Sequence, residues 1–311
     1  MPKVSVIVPN YNHAGFVGRR IESILKQTYV DFELVVLDDA STDNSCEVIR
    51  GFQNEPRLRF IECQPNSGNT FVQWNRGVAM TGGEYVWIAE SDDYAAPALL
   101  ETLVSRLDRF PKAGLACCNS WIVDERGKIL GSTDARFQSF DKQHWTCDSV
   151  GSGVDECRRY LAFECTIPNA SAVVFRRSLY DAVGGADESY KLCGDWAFWI
   201  DVAIASDIAF VADRLNFYRR HAQTVRRKMG DRIYLGEMTR IRTELAQRLS
   251  FSPAELRRLR NDFRVRRLKA WIASIPLLGP LVVELKQTVL DPRLQSIDIA
   301  QAYDAMMSRQ P

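Results

Sequence analysis

The chain reads as an α/β protein with a mostly parallel sheet flanked by helices and a helical C-terminal extension. Three observations predict it. Apolar runs of strand length alternate with segments of helical period from Val4 to Ala89. Each of these four strands empties into a polar loop. After Thr224 the composition turns to long, basic helical sequence.

Val4-Ser5-Val6-Ile7-Val8 is the first buried strand, expected to stop at Pro9, which cannot donate to a ladder. The loop Asn10-Tyr11-Asn12-His13 leads into a helix carrying Phe16, Ile21, Ile24 and Leu25 at helical spacing. Phe32 to Leu37 is the second strand, and the acidic turn Asp38-Asp39-Ala40-Ser41-Thr42-Asp43 follows it. A helix through Val48, Ile49 and Phe52 precedes a third strand at Leu58 to Ile61. Asn66-Ser67-Gly68-Asn69 then opens a helix over Phe71 to Met80. Gly83 to Ala89 is the fourth strand, and it delivers Glu90-Ser91-Asp92-Asp93. Strand–helix alternation of this kind builds parallel sheets with right-handed crossovers, whose ligands bind beyond the carboxyl ends of the strands. Four polar loops thus converge on one sheet edge.

Three carboxylates within four residues are costly to bury without a cation. A solvated acidic turn is the plain alternative, and the convergence of loops favours a ligand site. The first strand is not followed by G-x-G-x-x-G, and no strand is followed by a Walker lysine motif. A diphosphate here would need a bridging divalent ion, for which an oxygen-rich set suits Mg²⁺ or Mn²⁺. Tyr11 could stack a base and Asp39 could accept from a base N–H; Tyr11 serves equally well as a cover for the sheet edge.

Composition narrows the classes further. The 311 residues are 46% hydrophobic and 25% charged, with a net charge of +1, which gives no global attraction to nucleic acid. Eight cysteines form no C-x-x-C pair and the chain has three histidines, so free thiols and a reducing, cytoplasmic setting are expected rather than structural zinc. No signal-peptide hydrophobic region precedes Val4. The apolar stretch from Trp271 to Leu285 is broken by Pro276, Gly279, Pro280 and Glu284 and is not expected to span a membrane.

Val4 to Asn12, Val36 to Asp43 and Glu90-Ser91-Asp92-Asp93 resemble the motifs of the family-two inverting glycosyltransferases. Asn66-x-Gly68, Asn75-Arg76-Gly77, Gly82-Gly83-Glu84-Tyr85, Ser171 to Arg177 and Gly184 to Glu188 extend the likeness, which covers residues 3 to 222. The resemblance implies the GT-A nucleotide-sugar fold. It implies a catalytic domain over 1–222, with a donor half to about 110 and an acceptor half to 222, followed by a helical extension over 223–311. It also implies sugar transfer with inversion from a nucleotide-sugar donor, a UDP-sugar foremost, to a glycan or lipid-linked glycan. Pro9, Asn10, Tyr11, Asn12, Asp39, Asn66, Asn75 and Asp92 would bind the donor. Asp92 and Asp93 would form the metal and diphosphate motif, with their division of labour open, and His221 would touch the metal or phosphate, an ordinary surface histidine being the alternative. Glu90 stands where the family more often has Asp.

Gly194-Asp195-Trp196-Ala197-Phe198-Trp199 carries a carboxylate at a helix start, where a simple N-cap is the alternative. The resemblance makes Asp195 the general base, and an apolar surround would raise its pKa. The stretch 134–153 reads as an acceptor-side loop or a surface insertion. Ser252-Pro253-Ala254-Glu255 has the capping-box pattern and starts a helix rich in arginine. That basic extension suits either packing on the catalytic domain or a second copy, or peripheral docking on an anionic membrane. Two rival classes are weighed. A sugar nucleotidyltransferase should show a glycine-rich basic loop where Pro9 to Asn12 stand. A nucleotide-sugar sensor would keep Asp39, Asp92 and Asp93 but has no need of Asp195.

Overall fold

The computed structural model describes residues 1–138, 140–167, 169–221 and 225–273. The chain divides into two units, residues 1–238 and 239–311. In the first, strand and helix alternate in the expected order: β1 (Val4–Asn10), α1 (Ala14–Leu25), β2 (Phe32–Asp38), α2 (Ser45–Arg50), β3 (Leu58–Glu62), α3 (Thr70–Ala79) and β4 (Tyr85–Ile88). These strands pair in parallel in the order β3-β2-β1-β4. Val4, Val6, Ile7 and Val8 are fully buried because helices cover both faces, and this is why β1 reads as a continuous apolar run.

β1 does not stop at Pro9. The ladder continues through Pro9 opposite Leu37 and Asn10 opposite Asp38. The carbonyl of Ile7 faces β4, where it accepts from Ala89, whereas that of Asn10 faces β2 and accepts from Asp39. By that alternation the missing N–H of Pro9 points toward β4, whose pairing with β1 has already ended at Ile7 and Ile88. Proline therefore costs no ladder bond here.

The chain continues through β5 (Tyr94–Ala95), α4 (Leu99–Arg109), β6 (Ala113–Val123), β7 (Ile129–Ser132), α5 (Thr133–Phe137), β8 (Ser149–Ser152) and α6 (Gly153–Glu156). A π-turn at Cys157–Leu161 and a 3₁₀ turn at Ala170–Ala172 precede β9 (Val173–Arg176), α7 (Arg177–Val183), α8 (Gly194–Ala205) and β10 (Asp207–Arg219). The sheet extends as β3-β2-β1-β4-β9-β6-β10-β5, with β7 added to β6 and β8 to β10. β9 runs antiparallel to both β4 and β6 and joins the two halves. The 134–153 stretch is thus only partly irregular, since it contains most of α5 and all of β8.

Helix α8 is tied to α3 by an aromatic seam. Phe198 lies 5.0 Å from Trp199 and 5.2 Å from Phe175, and Trp74 of α3 meets Trp199 at 6.2 Å. Close approach of α3 to the sheet requires Gly77, where a Cβ would fall 2.4 Å from Ile7 Cγ2. α9 (Val225–Arg248) begins in the first unit and is interrupted at Gly230, whose φ is 78°. In the second unit α10 (Pro253–Ala273) opens on the expected capping box: Ser252 N donates to Glu255 Oε2 at 2.7 Å, and Glu255 N to Ser252 Oγ at 3.3 Å. Most of the apolar stretch 271–285 lies outside the described residues. No helix among the described residues is long and apolar enough to cross a membrane. All eight cysteines are free.

Candidate active site

The loops after β1, β2 and β3 are sewn together by their own side chains. Asn10 is buried and donates to Asp38 Oδ2 at 2.7 Å. Asn12, at a left-handed φ of 54°, accepts from the Thr42 amide at 2.7 Å. Asn66 donates to the Asp39 carbonyl at 2.6 Å. The Asp39 carboxylate accepts from Ser67 N at 3.0 Å, Ser67 Oγ at 2.7 Å and Gln73 Nε2 at 2.5 Å. Asp39 therefore stands at the strand ends as a fixed acceptor. Pro9 is buried within β1, and Tyr11 beyond it keeps 46% of its surface in solvent, an open aromatic face at the edge.

Asn75 is used differently. Its amide donates to the Ala186 carbonyl at 2.9 Å and to Glu188 Oε1 at 2.8 Å, while its oxygen accepts from Ala186 N at 2.9 Å and from the Tyr180 hydroxyl. The structure spends this side chain on holding the 186–188 loop, not on the strand-end cleft.

The acidic stretch after β4 separates into three roles. Glu90 accepts from Trp74 Nε1 at 2.9 Å, and burial followed by the charge of Asp92 pushes its carboxyl up to about 8. Asp93 is 2% exposed; its oxygens accept from Arg219 N at 2.8 Å and Asn169 Nδ2 at 2.6 Å, and burial, then Asp92, raises it to about 7. Asp92 meets His221 Nε2 at 3.0 Å. Burial opposes its ionisation, but His221 and then His13 outweigh that and hold it below the usual carboxylate value. Beneath them lies Arg20, fully buried, with Nε on the Glu90 carbonyl at 2.9 Å and its guanidinium 5.2 Å above the Trp87 ring.

Asp92, His221 and His13 offer ligand atoms that all lie within 4.8 Å of one another. Two imidazole nitrogens and a carboxylate oxygen are donor types that divalent ions such as Mn²⁺ accept. This donor set fits a divalent ion. Asp93 is not in the cluster, because its oxygens already face Asn169 and the backbone of Arg219. The sequence reading included Asp93 among the ligands and omitted His13. His13 precedes α1 and follows the Asn10-Tyr11-Asn12 loop; its position in a strand-end loop of a chain with three histidines was the available signal.

Asp195 sits in the first turn of α8, after Cys193 as N-cap. Its Oδ1 accepts from Trp196 N at 2.7 Å, so it bonds locally without being the cap. Burial pushes its carboxyl up to about 6 against two backbone hydrogen bonds that lower it. Its charge is the smallest of the influences that raise the Glu90 carboxyl, although 105 residues separate the two in sequence. A separate cavity of about 230 Å³ opens on the β8–β10 side, lined by His144, Trp145, Glu156 and Tyr160 among others.

A sheet of this order, with a carboxylate–imidazole cluster at its strand ends and a further buried carboxylate whose charge acts on Glu90, has the GT-A architecture. Residues 5–181 match the model of glycosyl transferase family 2. The chain belongs to that family and is an enzyme that transfers sugar from nucleotide-sugar donors in glycan or polysaccharide assembly. It is 30% identical over 288 residues to the uncharacterized protein MT1568 of Mycobacterium tuberculosis, covering 90% of this chain and 86% of that one. In fold it is similar to S. aureus TarS solved with UDP (TM-score 0.64, 20% identity, 88% of this chain and 72% of that one). It is also similar to the mannosyltransferase PcManGT of Pyrobaculum calidifontis solved with GDP-Man and Mn²⁺ (TM-score 0.60, 19% identity, 97% and 84%).

Proposed function

We propose that the protein is an inverting, metal-dependent transferase that moves a sugar from a nucleoside-diphosphate donor, a UDP-sugar first, to a glycan or lipid-linked acceptor hydroxyl. The observation that carries it is a pair of sites: the His13–Asp92–His221 cluster at the strand ends, and the buried Asp195, whose charge acts on Glu90 of the same acidic stretch. Tyr11 stacks the base, Asp39 accepts from its N–H, and Pro9, Asn10, Asn12 and Asn66 shape the wall that holds it. Asp92, His221 and His13 hold the divalent ion, Mn²⁺ or Mg²⁺, which when bound would neutralise charge on the departing diphosphate. Asp195 takes the acceptor proton while the acceptor oxygen bonds to the anomeric carbon from the face opposite the leaving diphosphate. Asp93 orders the floor by fixing Asn169 and Arg219. Residues 1–222 form the catalytic domain in this reading. The chain works in the cytoplasm, where the basic helices beyond 223 would bring it to an anionic membrane face.

The solved relative with UDP supports a uridine donor, and the one with GDP-Man and Mn²⁺ supports manganese. A panel of UDP- and GDP-sugars, incubated with Mn²⁺ and assayed for release of nucleoside diphosphate, tests the proposal. Metal-dependent release from one donor, lost in Asp195→Asn while donor binding persists, is the expected result. Release that survives both chelation and Asp195→Asn would overturn it.

A further inference from the structure

The segment that delivers Asp195 is held from outside its own helix. Glu237, on α9, accepts from three successive backbone amides: Lys191 N at 2.6 Å, Leu192 N at 3.0 Å and Cys193 N at 2.8 Å. Three amides converging on one carboxylate make a nest, and bonds to an ionised acceptor are the strong ones. The carbonyls of the preceding residues are gripped from another side, since Asn69 Nδ2 donates to Glu188 O at 2.7 Å and Tyr190 O at 3.1 Å. Gly194 then passes so close to Phe71 that a Cβ would lie 2.5 Å from the ring. Asp195 follows at once.

We infer that Glu237 is a positioning residue for the reaction: by fixing the backbone of 191–193 it sets where Asp195 is presented, so that the middle of α9 is part of the catalytic apparatus. The inference rests on Asp195 being the base. Asn69 and Asn75 hold carbonyls and the 186–188 turn but leave the three amides to Glu237. The carboxylate reaches them from α9, which, like residues 191–195 themselves, lies beyond the residues matched by the family model. Without it, three amides at the mouth of a helix turn to water, and the first turn of α8 is free to drift. A misplacement of about 1 Å at a reacting group costs on the order of 100-fold in rate.

The test compares the full chain with Glu237→Ala and Glu237→Gln. Hydrogen exchange followed by mass spectrometry reads residues 189–194 without any donor. The expectation is exchange accelerated about tenfold or more in the Ala variant, with peptides of β1, β2 and β4 unchanged. Turnover is read with the fastest sugar nucleotide of a UDP- and GDP-sugar panel, with Mn²⁺ and water as acceptor. The expectation is kcat reduced about 10- to 100-fold and donor KM held within about twofold, with partial recovery in the Gln variant, which keeps one acceptor oxygen. Unchanged exchange at 191–193 would overturn the inference. So would accelerated exchange with unchanged kcat, or a KM that rises in step with any fall in kcat/KM. An Asp195→Asn variant run alongside separates the two readings. If it keeps full turnover the base assignment fails, whereas the exchange data still report whether Glu237 holds the loop.

Discussion

The acid limb of the pH–rate profile is the sharpest consequence of Asp195's surroundings. Burial raises its carboxyl from 3.8 to about 6, and the active form is the ionised one, so activity should be present above about 6 and lost as pH falls through it. The size follows from simple titration. With a pKa near 6, about nine-tenths of the base is ionised at about pH 7 and roughly one-tenth at about pH 5, a fall of about tenfold in kcat. A carboxylate left at its ordinary value would lose only about 6% over the same interval. The assay is kcat against pH at saturating Mn²⁺ and donor. Asp195→Asn should lower kcat about 10²- to 10⁴-fold and leave the residual rate flat with pH. A wild-type profile flat down to about pH 5, or a variant retaining the acid limb, would refute the reasoning.

Other consequences follow from single contacts. His13→Asn and His221→Asn should each weaken Mn²⁺ binding about tenfold or more by calorimetry, whereas equal affinity in the His13 variant would remove it from the ligand set. Tyr11→Ala should raise the donor Kd about 10- to 100-fold if its exposed ring stacks the base, with thermal stability unchanged. Gly77→Ala should lower unfolding free energy by about 1–3 kcal/mol in urea titration, because the added methyl meets Ile7 and Leu37 in a closed core.

The sequence by itself determined the parallel half of this molecule. Continuous apolar runs such as Val4 to Val8 arise only where helices cover both faces of a strand, and polar loops at regular intervals mark the strand ends. Asp92, His221 and Asp195 could each be named as a candidate because each sits in a short local pattern. Pro9 was misread as a strand end because a proline's cost depends on which neighbour its missing N–H faces, and that is a property of the paired sheet. Residue type says that Asp93 can bind a cation, but its pairing with Asn169 and the Arg219 amide is set by strands distant in sequence. His13 joined the cluster only when β1 and β10 were laid in one sheet, with β4, β9 and β6 between them, bringing residues 13, 92 and 221 within reach. Local pattern selects which groups are chemically able. Long-range pairing, which no short window of sequence carries, decides which of them meet.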